Sequence, residues 1–317
     1  MNARMALALR AFFMAHSHCG HNGRQPKIME NSRIMSHAPY QTLISASELQ
    51  ALLSSGPAPL LIDLSFDLAA TEAGEQAFAA GHLPGAHYLH LDRDLSAAKT
   101  GKNGRHPLPE RQGFAQKMAS LGLRPGRQVV AYDAQGGMYA ARLWWMLRWL
   151  GHAEVAVLDG GLAAWTEQGG SLSKDVQPAQ AARFEATQTL VDSVDADTLQ
   201  ASLGQVLLID ARAPERFRGE VEPLDAQAGH IPGASNRLFK NNLQADGRFK
   251  SAALLRAEFD ALLGQRQPGQ VVHQCGSGVT ACHNFLAMQH AGLAGAKLYP
   301  GSWSEWSSDP KRPVAKG

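Results

Sequence analysis

A pattern of short segments occurs twice in this chain, in the same order both times. The copies agree in residue type as well, with strand-like runs (LLID) and turns of the form GHLPGA or GHIPGA. Four pairs of segments match, at offsets of 141 to 148 residues: 60–63 with 207–210, 81–86 with 229–234, 128–130 with 270–272, and 160–165 with 301–306. Repeats at a nearly constant spacing indicate two tandem copies of one structural unit.

Each copy alternates short apolar runs with segments that have the character of helices. This alternation predicts a parallel sheet with helices on both faces, so we expect an α/β fold with two tandem domains of this kind. A length of 317 residues also favours two cores over one. The predicted boundaries are a disordered extension at 1–38, an N-terminal domain at 39–172, a polar linker at 173–190, and a C-terminal domain at 191–317.

The bulk composition argues against several classes of partner. A formal charge of +2 and a pI near 8.5 are too mild to indicate nucleic-acid binding. No run approaches the ~18 apolar residues that a membrane span requires. Three cysteines in 317 residues do not form a disulfide scaffold and favour a reducing compartment. We therefore expect a cytoplasmic protein with no nucleic-acid or membrane partner, and leave open a targeting role for residues 1–35.

Cys275 lies in a glycine-rich turn, 275–280 (CGSGVT), between an apolar run and a predicted helix. Main-chain N–H groups and the positive end of a helix converge at such a turn, which favours the thiolate, the reactive form of cysteine. Gly276 and Gly278 are expected to let the backbone curl around the sulfur, and Ser277 and Thr280 add hydroxyl donors. The turn is predicted to hold the sulfur and an anion bound against it.

The other copy has Asp133 at the position of Cys275. A carboxylate cannot do the chemistry of a thiolate, so we expect the C-terminal domain to be catalytic and the N-terminal domain not to be. We therefore expect one active site, in the cleft between the two domains. Cys282 falls inside the predicted helix and is interpreted as a packing residue, with a disulfide to Cys275 on oxidation as the alternative.

The two copies, their GHLPGA and GHIPGA turns, the cysteine turn and the terminal segment 301–306 (GSWSEW) together resemble the two-domain rhodanese family. The turn CGSGVT is similar to that of its 3-mercaptopyruvate sulfurtransferases. The resemblance implies that Cys275 accepts a sulfane sulfur, becomes a persulfide, and passes the sulfur to cyanide or to a thiol such as thioredoxin or a low-molecular-weight thiol. No metal-ligand cluster or nucleotide motif is evident from residue 39 onward, so no metal and no cofactor is implied.

The resemblance also implies which groups bind the sulfur donor. Relatives that prefer thiosulfate carry basic residues in the turn, whereas Gly276 and Ser277 are neutral, which favours 3-mercaptopyruvate. Its carboxylate requires an arginine, and Arg216 stands at the family's substrate-arginine position. A second arginine that members often carry before the GHIPGA turn is missing. The remaining substrate-binding groups are expected to be Gly276, Gly278, Val279 and Thr280.

A Ser–His–Asp relay is a further expectation from the resemblance. It would use Ser277 and His82, although the segment before His82 offers Glu72 and Glu75 instead of a clear aspartate. The alternative interpretation makes His82 a structural histidine of the turn, equivalent to His230 in the second copy.

Two other functions remain open from the sequence. The first is a thiosulfate:cyanide sulfurtransferase on the same scaffold, and the second is a sulfur-carrier or redox-signalling module that does not turn over. A phosphatase is disfavoured because related phosphatase loops end in an arginine, where this chain has Thr280.

Overall fold

The computed structural model describes residues 38–317, which form two halves of the same architecture. The first half contains β1 (Leu43–Ile44), α1 (Ala46–Ser55), β2 (Leu60–Asp63), α2 (Ala73–Ala80), β3 (His87–Tyr88), α3 (Leu91–Asp94), α4 (Arg111–Ser120), β4 (Val129–Tyr132), α5 (Ala140–Trp149), β5 (Val155–Leu158) and α6 (Gly161–Glu167). The second contains β6 (Asp192–Ser193), α7 (Ala196–Ala201), β7 (Leu207–Asp210), α8 (Pro214–Phe217), β8 (Ser235–Asn236), α9 (Ala252–Leu263), β9 (Val271–Gln274), α10 (Thr280–His290), β10 (Lys297–Leu298) and α11 (Ser302–Trp306).

Each half is built around a five-stranded parallel sheet. The strand orders are β1-β5-β4-β2-β3 and β6-β10-β9-β7-β8, so each strand of one sheet has its equivalent in the other. The central pairs keep the same register, with Leu60 opposite Val129 and Leu207 opposite Val271. The α/β fold predicted from the repeat is confirmed. Because all strands are parallel, the loops at their carboxyl ends meet along one edge of each sheet.

The central strands and the helix that follows β4 are buried on all sides. Every residue of β2, β4, β7 and β9 is buried, which explains why these strands are apolar runs without alternation. In α5 the residues Ala140–Arg148 are all buried as well. A helix without a solvent face must lie between two layers, and α5 packs against α10 of the other half. The rings of Trp144 and Phe285 meet there at a tilt of 58°, with centroids 6.1 Å apart.

One apolar cluster is shared by the two halves. It includes Leu60 and Val129 from the first sheet, Val271 from the second, and the facing sides of α5 and α10. A separate, smaller apolar cluster covers the outer face of each sheet. The shared cluster removes apolar surface of both halves from water at once, so it stabilises their mutual arrangement along with each fold.

The segment 173–190 has no long regular element and lies against the first half. Ser173 forms an isolated bridge with His82, Ala182 N–H donates to the carbonyl of Ala119, and Phe184 is buried. Except for Ala38, the extension expected at 1–38 lies outside the described residues. Across residues 38–317, none of the helices has the length and apolar character needed to cross a bilayer.

Buried histidines make the stability of this fold dependent on pH. His273 on β9 is fully buried, and burial lowers its pKa to about 3. In the unfolded chain a histidine titrates near 6.5, so the unfolded state binds the proton first and stability is lost as the pH falls from about 6.5 towards 3.

We expect His273→Leu to flatten this loss. Removing one such group should lower the slope of the unfolding free energy against pH by up to ~1.4 kcal/mol per pH unit between pH 4 and 6. Urea denaturation at several pH values measures the slope. The effect of the substitution on packing is measured as the difference in unfolding free energy at pH 8, where the histidine is neutral in both states. Parallel curves for the two proteins would contradict the prediction.

Candidate active site

Cys275 follows β9 directly and precedes α10, in a turn that the terminal segment 301–306 holds from behind. The N–H of Cys275 donates to Ser302 Oγ at 3.1 Å. In the other direction, Trp303 N–H donates to the carbonyl of Cys275 at 3.0 Å and Ser304 N–H to that of Gly276 at 2.9 Å. Ser302 adopts a left-handed φ of 53° to make this contact and is fully buried. The motif GSWSEW therefore fixes the backbone of the cysteine turn.

The two glycines of the turn differ in backbone conformation and in what surrounds them. Gly278 has a φ of +77°, and a Cβ there would overlap the carbonyl of Pro300. Gly276 is not in the left-handed region. A Cβ at this position would lie 2.8 Å from Nη2 of Arg105, so a side chain there would displace the end of the arginine. The expectation of unusual φ values therefore holds for Gly278 alone.

The equivalent turn of the first half shows what such a loop binds. There the carboxylate of Asp133 is fully buried and accepts four main-chain hydrogen bonds, from the N–H groups of residues 135, 137, 139 and 140, at 2.8 to 2.9 Å. In the cysteine turn, by contrast, no acceptor among residues 38–317 pairs with the N–H groups of residues 276–280. The same kind of loop thus holds an internal anion in one half and has free donors beside a sulfur in the other.

A buried arginine of the first half also reaches this turn. Arg142 on α5 is fully buried and donates to the carbonyls of Gly278 and His106, each at 3.0 Å. Burial lowers the pKa of Arg142, and the nearby sulfurs of Cys282 and Cys275 oppose that shift. The guanidinium makes no salt bridge within the described part of the chain. Its charge favours an anionic sulfur in the turn.

The hydroxyl of Ser277 contacts a histidine that the sequence analysis did not identify. His106 Nδ1 lies 2.7 Å from Ser277 Oγ, and His106 Nε2 lies 3.3 Å from Asp92 Oδ1. Burial lowers the pKa of His106 to about 3; the positive charges of Arg142 and Arg105 act in the same direction, while Asp92 opposes them. The imidazole is therefore neutral at physiological pH, and its Nδ1 can accept the hydroxyl proton of Ser277.

His82 does not line the cavity beside Cys275, and the histidine in contact with Ser277 is His106 instead. The His82 ring stacks on Phe78 and its Nδ1 is bonded to the Phe78 carbonyl at 2.7 Å. His230 does the same in the second half, stacking on Phe217 and bonding to its carbonyl. Both histidines hold a turn against the helix before it, which matches the alternative interpretation.

The cysteine turn opens into a cavity of about 530 Å³ between the halves. Residues of both halves line it, among them Arg105, His106 and Tyr139 from the first. The predicted site residues that line it are Cys275, Gly276, Ser277, Val279, Thr280 and Arg216. Gly278 is turned away towards Pro300, so it shapes the turn without facing the cavity. No group of three potential metal ligands is present in residues 38–317.

The arginines around this cavity have different partners. Arg216 donates to Glu222 at 2.7 Å and to Asp225 at 3.0 Å. Arg212 is buried and bonded to Asp210, in a structural pair, while Arg218 pairs with Glu220 at the surface. Arg216 is the one of the three whose guanidinium lies beside Gly276.

Four residues of the site come from the first half and were not identified from the sequence. Asp92, Arg105 and His106 belong to the region after β3, for which the repeat offers no matching segment. Arg142 is one of two charged residues in an apolar helix. A histidine next to an arginine in a polar loop was the available signal, but nothing local connects it to Ser277, which is 171 positions away.

Comparison with known proteins gives the following relationships. The sequence model of the Rhodanese-like domain matches residues 45–168 and again residues 195–309. A probable 3-mercaptopyruvate sulfurtransferase of Pseudomonas aeruginosa is 48% identical over 279 residues, covering 87% of this chain and 98% of the relative. A putative thiosulfate sulfurtransferase, SseB, of Mycobacterium tuberculosis is 41% identical over 280 residues, with 87% and 98% covered.

Solved structures are similar over the same region. A 3-mercaptopyruvate sulfurtransferase from Leishmania major superposes with a TM-score of 0.75 at 29% identity, covering 87% of this chain and 78% of that one. SseA from Escherichia coli, a 3-mercaptopyruvate sulfotransferase with the rhodanese fold, gives a TM-score of 0.70 at 32% identity, with 84% and 100% covered.

The site predicts that Cys275 and Cys282 differ in reactivity. Cys282 is fully buried, its Sγ lies 3.3 Å from the carbonyl of Gly278, and burial raises its pKa to about 12. It is therefore a thiol at neutral pH, whereas Cys275 lies at the cavity beside free N–H groups. Both cysteines are free.

We expect iodoacetamide at pH 8 to alkylate Cys275 and leave Cys282 unmodified, as measured by peptide mass spectrometry in a Cys19→Ser background. Cys282→Ser should change the alkylation rate of Cys275 by less than about twofold, because a hydroxyl can donate to the same carbonyl. Cys275→Ser is the control that removes the fast reaction. Rapid alkylation of Cys282 would show that its burial does not protect it.

Proposed function

The chain belongs to the family of rhodanese-like domains, of which it carries two copies, and on that premise we propose that it is a sulfurtransferase that uses 3-mercaptopyruvate as donor. Cys275 takes the sulfur as a persulfide and passes it to a thiol acceptor or to cyanide. The relative that is 48% identical is a probable 3-mercaptopyruvate sulfurtransferase. In this chain Gly276 and Ser277 are neutral, which favours the same donor over thiosulfate.

The observation that carries the proposal is the contrast between the two equivalent turns. The turn of the first half satisfies its main-chain N–H groups with the carboxylate of Asp133. The turn of the second half leaves its N–H groups free around Cys275, and Arg142 adds a buried positive charge. Such a site stabilises an anionic sulfur without a metal, and a persulfide is an anion that needs this stabilisation.

The first half-reaction can be written with all its atoms. The thiolate pair of Cys275 forms a bond to the donor sulfur, the donor C–S bond breaks, and its electron pair leaves as the enolate of pyruvate. The transferred sulfur arrives with its proton, which Ser277 can pass to Nδ1 of neutral His106 and from there to the enolate carbon. The products are pyruvate and the Cys275 persulfide anion.

In the second half-reaction an acceptor removes the outer sulfur. Its thiolate, or cyanide, attacks that sulfur and releases the Cys275 thiolate for another cycle. Thioredoxin and low-molecular-weight thiols are the proposed acceptors, since few cysteines favour a reducing, cytoplasmic setting. Thiosulfate is the second candidate donor because SseB of Mycobacterium tuberculosis, 41% identical, carries that name, and because Arg216 can also attract a dianion.

A donor comparison tests this function. We expect kcat/KM to be higher for 3-mercaptopyruvate than for thiosulfate, measured as pyruvate release and as cyanide-dependent thiocyanate formation. Cys275→Ser should abolish both signals while the thermal unfolding midpoint stays close to that of the wild type. A higher kcat/KM for thiosulfate would reverse the order of the two donors. A persulfide on Cys275 without steady-state turnover would identify a sulfur carrier instead.

Arg216 gives a second prediction. Its guanidinium lines the cavity beside Gly276, so Arg216→Ala should remove a charge-assisted contact worth about 1.5–3 kcal/mol and raise KM for the carboxylate donor by roughly 10–100-fold. The kcat should change less, because the contact is made in the ground state as well. Steady-state kinetics measure both constants. An unchanged KM would mean that the carboxylate binds elsewhere.

A further inference from the structure

We propose that Arg148 binds a small oxyanion, such as phosphate or sulfate, at a second site between the two halves. The site is a cavity of about 280 Å³. Arg148, in the last turn of α5, lines it from the first half, and Gln289 on α10 lines it from the second. The segments 189–192 and 294–296 also belong to its wall. None of these residues lines the cavity beside Cys275, so the two cavities are separate.

The guanidinium of Arg148 is a buried charge that residues 38–317 do not pair. Arg148 is 9% exposed, and its Nε and Nη1 are buried without a hydrogen-bond partner in this part of the chain. No carboxylate there forms a salt bridge with it. Burial lowers the pKa of Arg148, and no described charge opposes the shift. A buried donor without a partner costs about 1–3 kcal/mol, and a charged one more, so an anionic acceptor in this cavity is favoured.

Two other contacts stabilise the charge of Arg148 but leave its N–H donors unused. Its Cζ lies 5.4 Å from the centroid of the Trp144 ring, a cation–π contact worth ~0.5–2 kcal/mol. A cation in the last turn of α5 also gains about 0.3–1 kcal/mol from the helix dipole. Both contacts act on the charge as a whole. The planar set of donors is therefore still available to an oxyanion, whose oxygens match its geometry.

Main-chain donors of the second half lie in the wall of the same cavity. The N–H groups of residues 294–296 have no acceptor among residues 38–317, and Ala296 is buried. Gln289 lines the cavity as well, and its amide can add a donor. An oxyanion has several acceptor oxygens, so it can bond to Arg148 and to these groups at once. Such a ligand would join the two halves.

Asp192 is the one carboxylate among the described residues that line this cavity. It is exposed and forms no salt bridge with Arg148. Because water and salt screen an exposed charge, its repulsion of a bound oxyanion is modest. The alternative to an anion site is an internal pair, in which the side chain of Arg148 turns to Asp192. The two arrangements differ in what the removal of Asp192 does to stability.

The oxyanion is expected to stabilise the packing of the two halves. Arg148 is on α5, which also carries Arg142, and Gln289 is on α10, which begins directly after the cysteine turn. These two helices pack against each other in the shared core. A ligand that bonds to both helices binds the folded state alone, so it raises the free energy of unfolding as its concentration rises above its dissociation constant.

Calorimetry with inorganic phosphate at constant ionic strength tests the site. An Arg216→Ala background weakens anion binding in the cavity beside Cys275. In this background we expect saturable binding, with a dissociation constant at least about tenfold higher once Arg148→Met is added. Arg256→Met, at an exposed arginine of α9, is the matched control and should leave the constant unchanged. Equal constants with and without Arg148, or no saturable binding in the background, would overturn the site.

Crystals soaked in selenate locate the ligand directly. Selenate has the shape and charge of sulfate, and its selenium gives an anomalous signal. We expect a peak within hydrogen-bond distance of the guanidinium of Arg148, in the cavity bounded by 189–192 and 294–296. Peaks confined to the cavity beside Cys275, or a map without a peak at Arg148, would contradict the proposal.

Thermal unfolding separates an oxyanion site from an internal pair with Asp192. In a chloride buffer, Asp192→Asn should leave the unfolding midpoint close to that of the wild type. A midpoint lower by about 2 °C or more would show that Asp192 pairs with Arg148, and would overturn the site. Millimolar phosphate should raise the midpoint of the wild type and of Arg256→Met. In Arg148→Met the rise should be lost even if that variant is less stable, and an equal rise in all three proteins would contradict the proposal.

Discussion

The guanidinium of Arg142 is the charge on which the rest of the site depends. It is fully buried, its two hydrogen bonds go to the carbonyls of Gly278 and His106, and within residues 38–317 it makes no salt bridge. Removing an ion from water costs several kcal/mol unless an opposite charge is nearby. In the proposed reaction the persulfide anion on Cys275 is an opposite charge of this kind. The same side chain ties the cysteine turn to the backbone of His106.

The two copies of the fold solve the same problem in different ways. Each has a turn lined with main-chain N–H groups, and in the first half these groups donate to the carboxylate of Asp133. The first half therefore has no free loop for chemistry, but it contributes His106, Arg105 and Arg142 to the turn of the other. A division into a catalytic and a non-catalytic half is too simple, because Cys275 belongs to one half and three of the side chains around it belong to the other.

The repeat predicted the fold well because each of its segments is a buried element whose composition is dictated locally. The cysteine turn was equally visible, since Gly278 and Cys275 are adjacent to the strand and helix that position them. The relay was not. The GHLPGA motif drew attention to His82, whose role is to stack on Phe78, whereas His106 lies in a loop outside the repeat and meets Ser277 only through the packing of the two halves. Because these two residues are 171 positions apart, no local sequence pattern indicates their contact.

The shared core between the halves limits how the proposed reaction can proceed. Because α5 and α10 pack together within one apolar cluster, the cavity beside Cys275 is a fixed space, and donor and acceptor must use it in turn. In the proposed reaction, persulfide formation extends the reactive sulfur from Cys275 by one S–S bond, about 2.05 Å. Arg216 lines the same cavity, so its charge remains near Cys275 after pyruvate leaves and attracts an anionic acceptor. In the proposed reaction pyruvate therefore leaves before the acceptor binds, which is a ping-pong order.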